Sequence, residues 1–331
     1  MIRSGGGIKK ILVTGGAGYI GSHVAEALLD TKRYSVTVFD NLQKGHPSAI
    51  PKGCTFIKGD IRNKEDLQFL AEEKFEAVIH LAGLAHVEES YQMPDVYWDV
   101  NVAGTLNVLD MMLKSSCSTF ILSSSCSVYG DQDKSIYTED SSVIPISPYA
   151  STKASAESAM RDYTLYGLRG ISLRYFNAAG ASFTGLRGEI DTKRLIPKTI
   201  MSTISYGTPL EVYGDDYDTP DGTCIRDYTH VVDIADAHVK ALEYAFGESD
   251  LGFDIFNIGT GKGSSIMEVI KEVEKITQDK VPHEILSSRA GDPTKAVADF
   301  EKAYQTMNWA PRYGLRDIIS TSLAWLSDPK Y

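Results

Sequence analysis

The chain has 331 residues, 43% apolar and 23% charged, with a formal net charge of −11, which suits one or two globular domains with a large core. The acidic balance argues against binding nucleic acid through the overall field, although a locally basic pocket stays compatible with it. Cys54, Cys117, Cys126 and Cys224 form no CxxC pair, no apolar run approaches the ~18 residues of a membrane span, and MIRSGGG reads as a flexible leader rather than a signal peptide, so no metal site, no disulfide and no membrane are expected and a cytoplasmic setting is.

Lys10–Thr14 is a short apolar run ending in glycines, and a helical pattern follows from Tyr19 to Asp30. Ser35–Asp40, Thr55–Lys58, Ala77–Ala82, Thr119–Ser123 and Ile171–Phe176 repeat the short, β-branched signature of buried parallel strands. Amphipathic stretches such as KEDLQFLAEE and Val96–Leu113 lie between them. Strand and helix in alternation predict an α/β fold, a Rossmann-type doubly wound parallel sheet. After about residue 180, Gly and Pro punctuate the pattern (GASFTGLRGE, YGDDYDTPDGT) and the alternation loosens. The expectation is therefore a dinucleotide-binding domain over 8–180 and a smaller α/β substrate lobe over 181–331, some of which returns to the main sheet.

In KKILVTGGAGYIGSHVAEALL, Gly15, Gly18 and Gly21 stand at GxxGxxG spacing between a strand and a helix. Such glycines permit a tight turn, close approach of backbone to a pyrophosphate and close helix–strand packing, while the helix N-terminus offers free N–H groups. Asp40 ends the next strand, 19 positions after Gly21, where a carboxylate accepts from ribose hydroxyls and repels a 2′-phosphate. NAD is thereby favoured over NADP. Asp60 could reach the adenine or merely form a turn. The Leu81–Ala82–Gly83 turn could pass the cofactor or simply leave a strand tightly.

Tyr149 and Lys153, four apart in SPYASTKAS, share one face of a helix. A lysine one turn from a tyrosine lowers its pKa and makes a usable phenolate base, though chance also produces this spacing. Upstream, SSSCSVYG puts Ser123, Ser124 and Ser125 at the carboxyl end of a strand, where open α/β sheets hold their ligands.

Taken in order, GGAGYIGSH, Asp40, HLAG, SSSCSVYG, PYxxxK, RYFNAAGA and GTCIRDYTHVVDIADAH resemble the extended short-chain dehydrogenase/reductases. More narrowly they resemble the UDP-glucose (UDP-galactose) 4-epimerases, over residues 9–310. The resemblance implies NAD-dependent inversion of a sugar 4-hydroxyl through a 4-keto intermediate, with a UDP-sugar as partner. It implies Tyr149 as catalytic base, Lys153 as its electrostatic and ribose partner, and Ser125 as the hydroxyl-positioning residue. It places Tyr19, Ile20, Asn41, Ile61, Asn101, Ser123 and Tyr175 with the glycines, Asp40, Asp60 and the Leu81–Gly83 turn around the cofactor. It places Asn177, Arg194, Leu195, Val212, Tyr213, Arg226, Arg289, Asp292 and Ala296 around the substrate. Arg226 and Arg289, two arginines from separate segments, suit a diphosphate by their fork geometry. The resemblance further implies a homodimer through helices around Asn101–Met112 and Ala150–Tyr163.

Three departures stand out. Ala85 replaces a lysine usual near the cofactor phosphates, unless His86 substitutes for it, and Arg194 replaces an Asn or His. Ala296 stands where a tyrosine restricts the sugar pocket, which predicts that UDP-GlcNAc and UDP-GalNAc are accepted too. A UDP-pentose 4-epimerase is the nearest alternative. A nucleotide-sugar 4,6-dehydratase would need a carboxylate pair where Cys126 and Ser127 stand, and a silent NAD-binding scaffold should lack Tyr149 or Lys153.

Overall fold

The computed structural model describes residues 7–331 apart from 116, 133, 205–207, 249 and 289–292. Residues 1–6, Arg289 and Asp292 thus lie outside the described residues. The chain opens with β1 (Lys9–Thr14), α1 (Tyr19–Asp30), β2 (Tyr34–Asp40), β3 (Thr55–Lys58), α2 (Lys64–Ala71) and β4 (Ala77–His80). Ile11, Leu12 and Val13 are fully buried, as a parallel strand covered on both faces requires. The strand expected over Ala77–Ala82 stops at His80, and Leu81–Gly83 follow it at the carboxyl end of the sheet.

Next come α3 (Val87–Gln92), α4 (Pro94–Trp98) and α5 (Gly104–Lys114). The single helix expected over Val96–Leu113 is broken by a π-helical turn at Asp99–Ala103. That turn carries Asn101, whose Oδ1 accepts from Leu84 N and whose Nδ2 donates to Leu84 O and Thr152 Oγ1. A widened helical turn of this kind is a frequent companion of functional sites. Then follow β5 (Thr119–Ser125), β6 (Ile136–Tyr137), α6 (Pro148–Tyr163), β7 (Arg169–Tyr175) and β8 (Asn177–Ala179). Pro148 at the start of α6 and Ser147, which caps it by accepting from Ala150 N, fix where that helix begins.

The remainder is α7 (Leu195–Ile204), β9 (Leu210–Tyr213), β10 (Ile225–His230), α8 (Val231–Gly247), β11 (Phe253–Ile258), β12 (Gly263–Ser265), α9 (Ile266–Thr277), β13 (His283–Leu286), β14 (Lys295–Ala298), α10 (Glu301–Met307) and α11 (Leu315–Ser327).

The main sheet has seven parallel strands in the order β11-β7-β5-β4-β1-β2-β3. The chain reverses direction across the sheet between β1 and β4, so a crevice opens at their carboxyl ends. On one face α1 and α8 bury Val24, Leu28, Ile234 and Leu242. On the other α2, α5 and α6 bury Leu67, Val108, Met112 and Met160. β11 and α8, both from the second half, belong to this body. A second sheet, β12-β10-β14-β6 with β8 beside β10, and the pair β13-β9 pack with α7, α9 and α11 around Ile196, Ile200, Val269, Val273 and Ile318. Among the described residues no helix is long and apolar enough to cross a membrane.

Candidate active site

The glycine turn after β1 is shaped by close approach. Gly15 has φ +71°, and a Cβ on it would lie 2.5 Å from Ala82 N. A Cβ on Gly21 would lie 2.1 Å from Gly15 O, so α1 rests directly on the turn. Gly18 is the N-cap of α1 and supplies no side-chain cap, and no acidic residue stands in the first turn, so Tyr19, Ile20 and Gly21 keep their N–H groups for an anion. The Asp40 carboxylate, 8% exposed, accepts from Ala17 N at 3.0 Å and Leu42 N at 2.8 Å. Burial pushes its pKa up and those two amides restrain the rise. Each oxygen keeps a lone pair for a ribose hydroxyl. A bare helix terminus, a carboxylate at the end of β2 and glycines with no room for a side chain together fit a dinucleotide.

Asp60 is more occupied than its position at the end of β3 suggested. It accepts from Asn41 Nδ2 at 2.9 Å and pairs twice with Arg62, which holds its carboxyl well below the usual range. Ile61 is buried in the core beside Gly104, so it can meet a cofactor only through its backbone. Gly83 leaves the space above Lys153 clear, because a Cβ there would stand 3.6 Å from Lys153 Nζ and 3.0 Å from Asn101 Oδ1. The Asn101 side chain spends its hydrogen bonds on shaping that turn.

At the carboxyl ends of β5 and β7, Ser125 pairs in register with Tyr175. Tyr175 is 5% exposed and its hydroxyl meets His238 Nε2 at 2.5 Å, so its polar end faces the core rather than a ligand. Ser125 Oγ accepts from Ser127 N and from Ser127 Oγ at 2.9 Å, and its hydroxyl, close to Tyr149, lowers the Tyr149 pKa. Tyr149 is 8% exposed, with its ring edge-on to Tyr97 at 6.4 Å. Burial raises its pKa, opposed by Ser125 and then by the charge of Arg194. Lys153 Nζ donates to Ser123 O at 2.9 Å and stands 5.9 Å from the centre of the Tyr149 ring. Burial pushes the Lys153 ammonium down to about 8. The geometry brings base, lysine and serine together between β5 and α6.

The opposite wall comes from the second lobe. Asn177, Arg194, Leu195, Tyr213, Arg226 and Tyr228 line a cavity of about 290 Å³. Arg226 Nη1 donates to Ile225 O at 2.9 Å and Pro293 O at 2.6 Å. Arg194 lies against acids: its Nε is 3.1 Å from Glu189 Oε2 and 3.7 Å from Asp191 Oδ2. His86 Nε2 is 3.1 Å from the same Asp191 oxygen, so His86 faces a carboxylate and is not a simple stand-in for the lysine missing at Ala85. The Val212 side chain is fully buried in the lobe's own core, which leaves only its backbone for a substrate. Ala296 is the strand partner of Arg226 and, like Cys126, packs against the apolar cluster of Val128, Tyr129, Tyr137, Phe176 and Ala298, so its small side chain and Ser125's neighbour share one cluster. A larger open cleft of about 650 Å³, lined by Lys262, Lys271 and Arg312, contains none of the residues expected around cofactor or substrate.

Sequence reading missed the buried cluster behind this site, formed by Glu157, Arg174, Ser124 and Ser172. The spacing carried a signal, since Glu157 follows Lys153 by the same four residues that separate Lys153 from Tyr149.

Comparison with known proteins agrees with this geometry. Residues 11–259 match the NAD dependent epimerase/dehydratase family. The chain is 42% identical over 323 residues to UDP-glucose 4-epimerase from Rhizobium meliloti strain 1021, covering 96% of this chain and 97% of that protein. The crystal structure of UDP-glucose 4-epimerase from Brucella ovis in complex with NAD superposes with a TM-score of 0.91 at 42% identity, over 95% of this chain and 97% of that one. UDP-glucose 4-epimerase from Stenotrophomonas maltophila with bound NAD and formylated UDP-arabinopyranose superposes with a TM-score of 0.92 at 34% identity, over 96% and 98%. The chain belongs to the NAD-dependent epimerase/dehydratase family.

Proposed function

We propose that the protein is an NAD-dependent 4-epimerase acting on UDP-hexoses, UDP-glucose and UDP-galactose first among them. The observation that carries this reading is Tyr149, close to Ser125, set one turn from Lys153 and within reach of the charge of Arg194, one of the two arginines that line the cavity. Bound against the glycine turn, NAD would supply the acceptor and donor of hydride that takes C4 of the sugar through a ketone with no net redox change. Tyr149 removes the proton from the sugar 4-hydroxyl oxygen and later returns one. Lys153 supports the phenolate by its charge, and Ser125 orients the sugar hydroxyl towards it. Arg226 and Asn177, with Arg289 and Asp292 expected alongside them, hold the uridine diphosphate, so the sugar can turn about its link while the nucleotide stays anchored.

The small Ala296, on the same apolar cluster as Cys126, favours a second substrate pair, UDP-GlcNAc and UDP-GalNAc. Incubation of the purified protein with UDP-galactose, UDP-GlcNAc and UDP-arabinose separately, without added NAD, tests both readings. Conversion of UDP-galactose to UDP-glucose is expected, with UDP-GlcNAc also turned over. Turnover of UDP-arabinose alone would replace the hexose reading with the pentose one, and inertness towards UDP-GlcNAc would close the N-acetyl reading.

We further propose a boundary near residue 180 between cofactor and substrate domains, a cytoplasmic setting that suits the four free thiols, and a homodimer. The helices around Asn101–Met112 and Ala150–Tyr163 would form its interface, with the exposed Trp98 and Leu113 close by in sequence. Light scattering should give twice the chain mass; a monomer mass would contradict the dimer.

A further inference from the structure

Tyr149, Lys153 and Glu157 lie at successive turns of α6, and all three are buried. The Glu157 carboxylate accepts from Ser124 Oγ at 2.6 Å, Ser172 Oγ at 2.8 Å, Arg174 Nε at 2.9 Å and Arg174 Nη2 at 2.6 Å. Every partner donates, which is what an ionised carboxylate requires. The pair is far from solvent, with side-chain exposures of 2% for Arg174 and 4% for Glu157. Burying two charges is costly, and apolar residues of similar volume often hold a core as well. Cohesion is therefore a weak reason for an ion pair in this place.

The position suggests another reason. Ser123 gives its carbonyl to Lys153, and the next residue, Ser124, gives its hydroxyl to Glu157. Adjacent residues of β5 thus grip two consecutive turns of the catalytic helix, and β7 grips the second turn through Ser172 and Arg174. We propose that Glu157, clamped by Arg174, Ser124 and Ser172, is a positioning residue that sets both the place and the charge of the Lys153 ammonium beside Tyr149. This rests on the 4-epimerase reading given above.

The titratable and charged groups near Lys153 are few among the described residues. Tyr149 and Glu157 share its helix; β4 contributes His80; β7 contributes Tyr175 and, behind Glu157, Arg174. His80 is buried, and its pKa is pushed down to about 3, so it is neutral where the enzyme works. Burial disfavours the Lys153 ammonium, and Glu157 is the negative group that opposes it.

Two substitutions should act in opposite directions. Glu157→Gln removes the negative charge that opposes the burial of Lys153 and leaves Arg174 behind it uncompensated, so the alkaline limb of the kcat profile should move down by about one pH unit or more. Arg174→Met leaves the carboxylate unpaired and should move the same limb up. Heteronuclear NMR of isotope-labelled lysine ε-carbons in the holoenzyme, with Lys153 assigned from Lys153→Met, should show the same opposed shifts without relying on turnover. Reduced rates with both limbs and the Lys153 titration unmoved would overturn the proposal and leave the pair a structural clamp. If either single variant fails to fold, Glu157→Gln combined with Arg174→Met should still show a downward shift, smaller than that expected for Glu157→Gln alone; a wild-type titration there would also overturn it. A wild-type enzyme without epimerase turnover would defeat the reaction reading, and the NMR shifts would still decide the coupling.

Discussion

The two walls of the site are held in different ways. On the catalytic wall, Lys153 is fixed to Ser123 O, Ser125 lies close to Tyr149, and the helix behind them is tied to β5 and β7 by a buried network of hydrogen bonds. On the substrate wall, Arg194 lies against Glu189 and Asp191, and Arg226 rests on two backbone carbonyls. The first arrangement needs no reorganisation when the chemistry begins. The second must exchange protein partners for those of a ligand, so part of its binding energy offsets that exchange. Rate should therefore depend on the first wall and affinity on the second.

The largest test of that division is Tyr149→Phe. It should lower kcat by about a hundredfold or more while NAD stays bound, as measured by turnover and by cofactor content after gel filtration. Loss of NAD with residual rate would place Tyr149 on the wrong wall. Gly21→Ala should strip the cofactor instead, because its Cβ would collide with Gly15 O. Cofactor content near that of the wild type would contradict the close packing of α1 on the turn. Arg226→Ala should raise KM about tenfold to a hundredfold with a smaller change in kcat, the loss of a charge-assisted contact to the diphosphate. Equal loss in kcat would erase the proposed contrast.

The smallest effect concerns stability. Burial pushes His23, His230 and His238 down from 6.5 to about 4, and His80 to about 3. These folded-state values lie below the unfolded one, so between pH 6.5 and 4 the unfolded chain binds more protons. Their contribution to stability is complete above 6.5 and falls away as pH drops towards 4. His238→Gln should flatten that dependence by about one proton in thermal melts taken across the range. An unchanged slope would mean that His238 does not titrate this way.

Much of the catalytic wall was legible in the sequence because its signals are local. The glycine spacing, Asp40 at the end of a strand and Tyr149 four residues before Lys153 each constrain geometry within a few turns of chain. Side chains that share one element can be placed by its period. The substrate wall is assembled from segments more than a hundred residues apart, such as Asn177 and Ala296, and no periodicity encodes that meeting. The pairing of His86 with Asp191 and the turning of Tyr175 onto His238 are tertiary events of the same kind. Glu157 was missed for a different reason: its spacing was visible, but its partners Ser172 and Arg174 sit on another strand.

Following the fate of the hydrogen on C4 tests the central claim most directly. UDP-galactose carrying deuterium at C4 should yield UDP-glucose that keeps the label at C4, in ordinary water and without added NAD. Tyr149 would exchange only the proton of the hydroxyl. Loss of the label to solvent, or its appearance at another carbon, would contradict an inversion that proceeds by removal and return of hydrogen at C4.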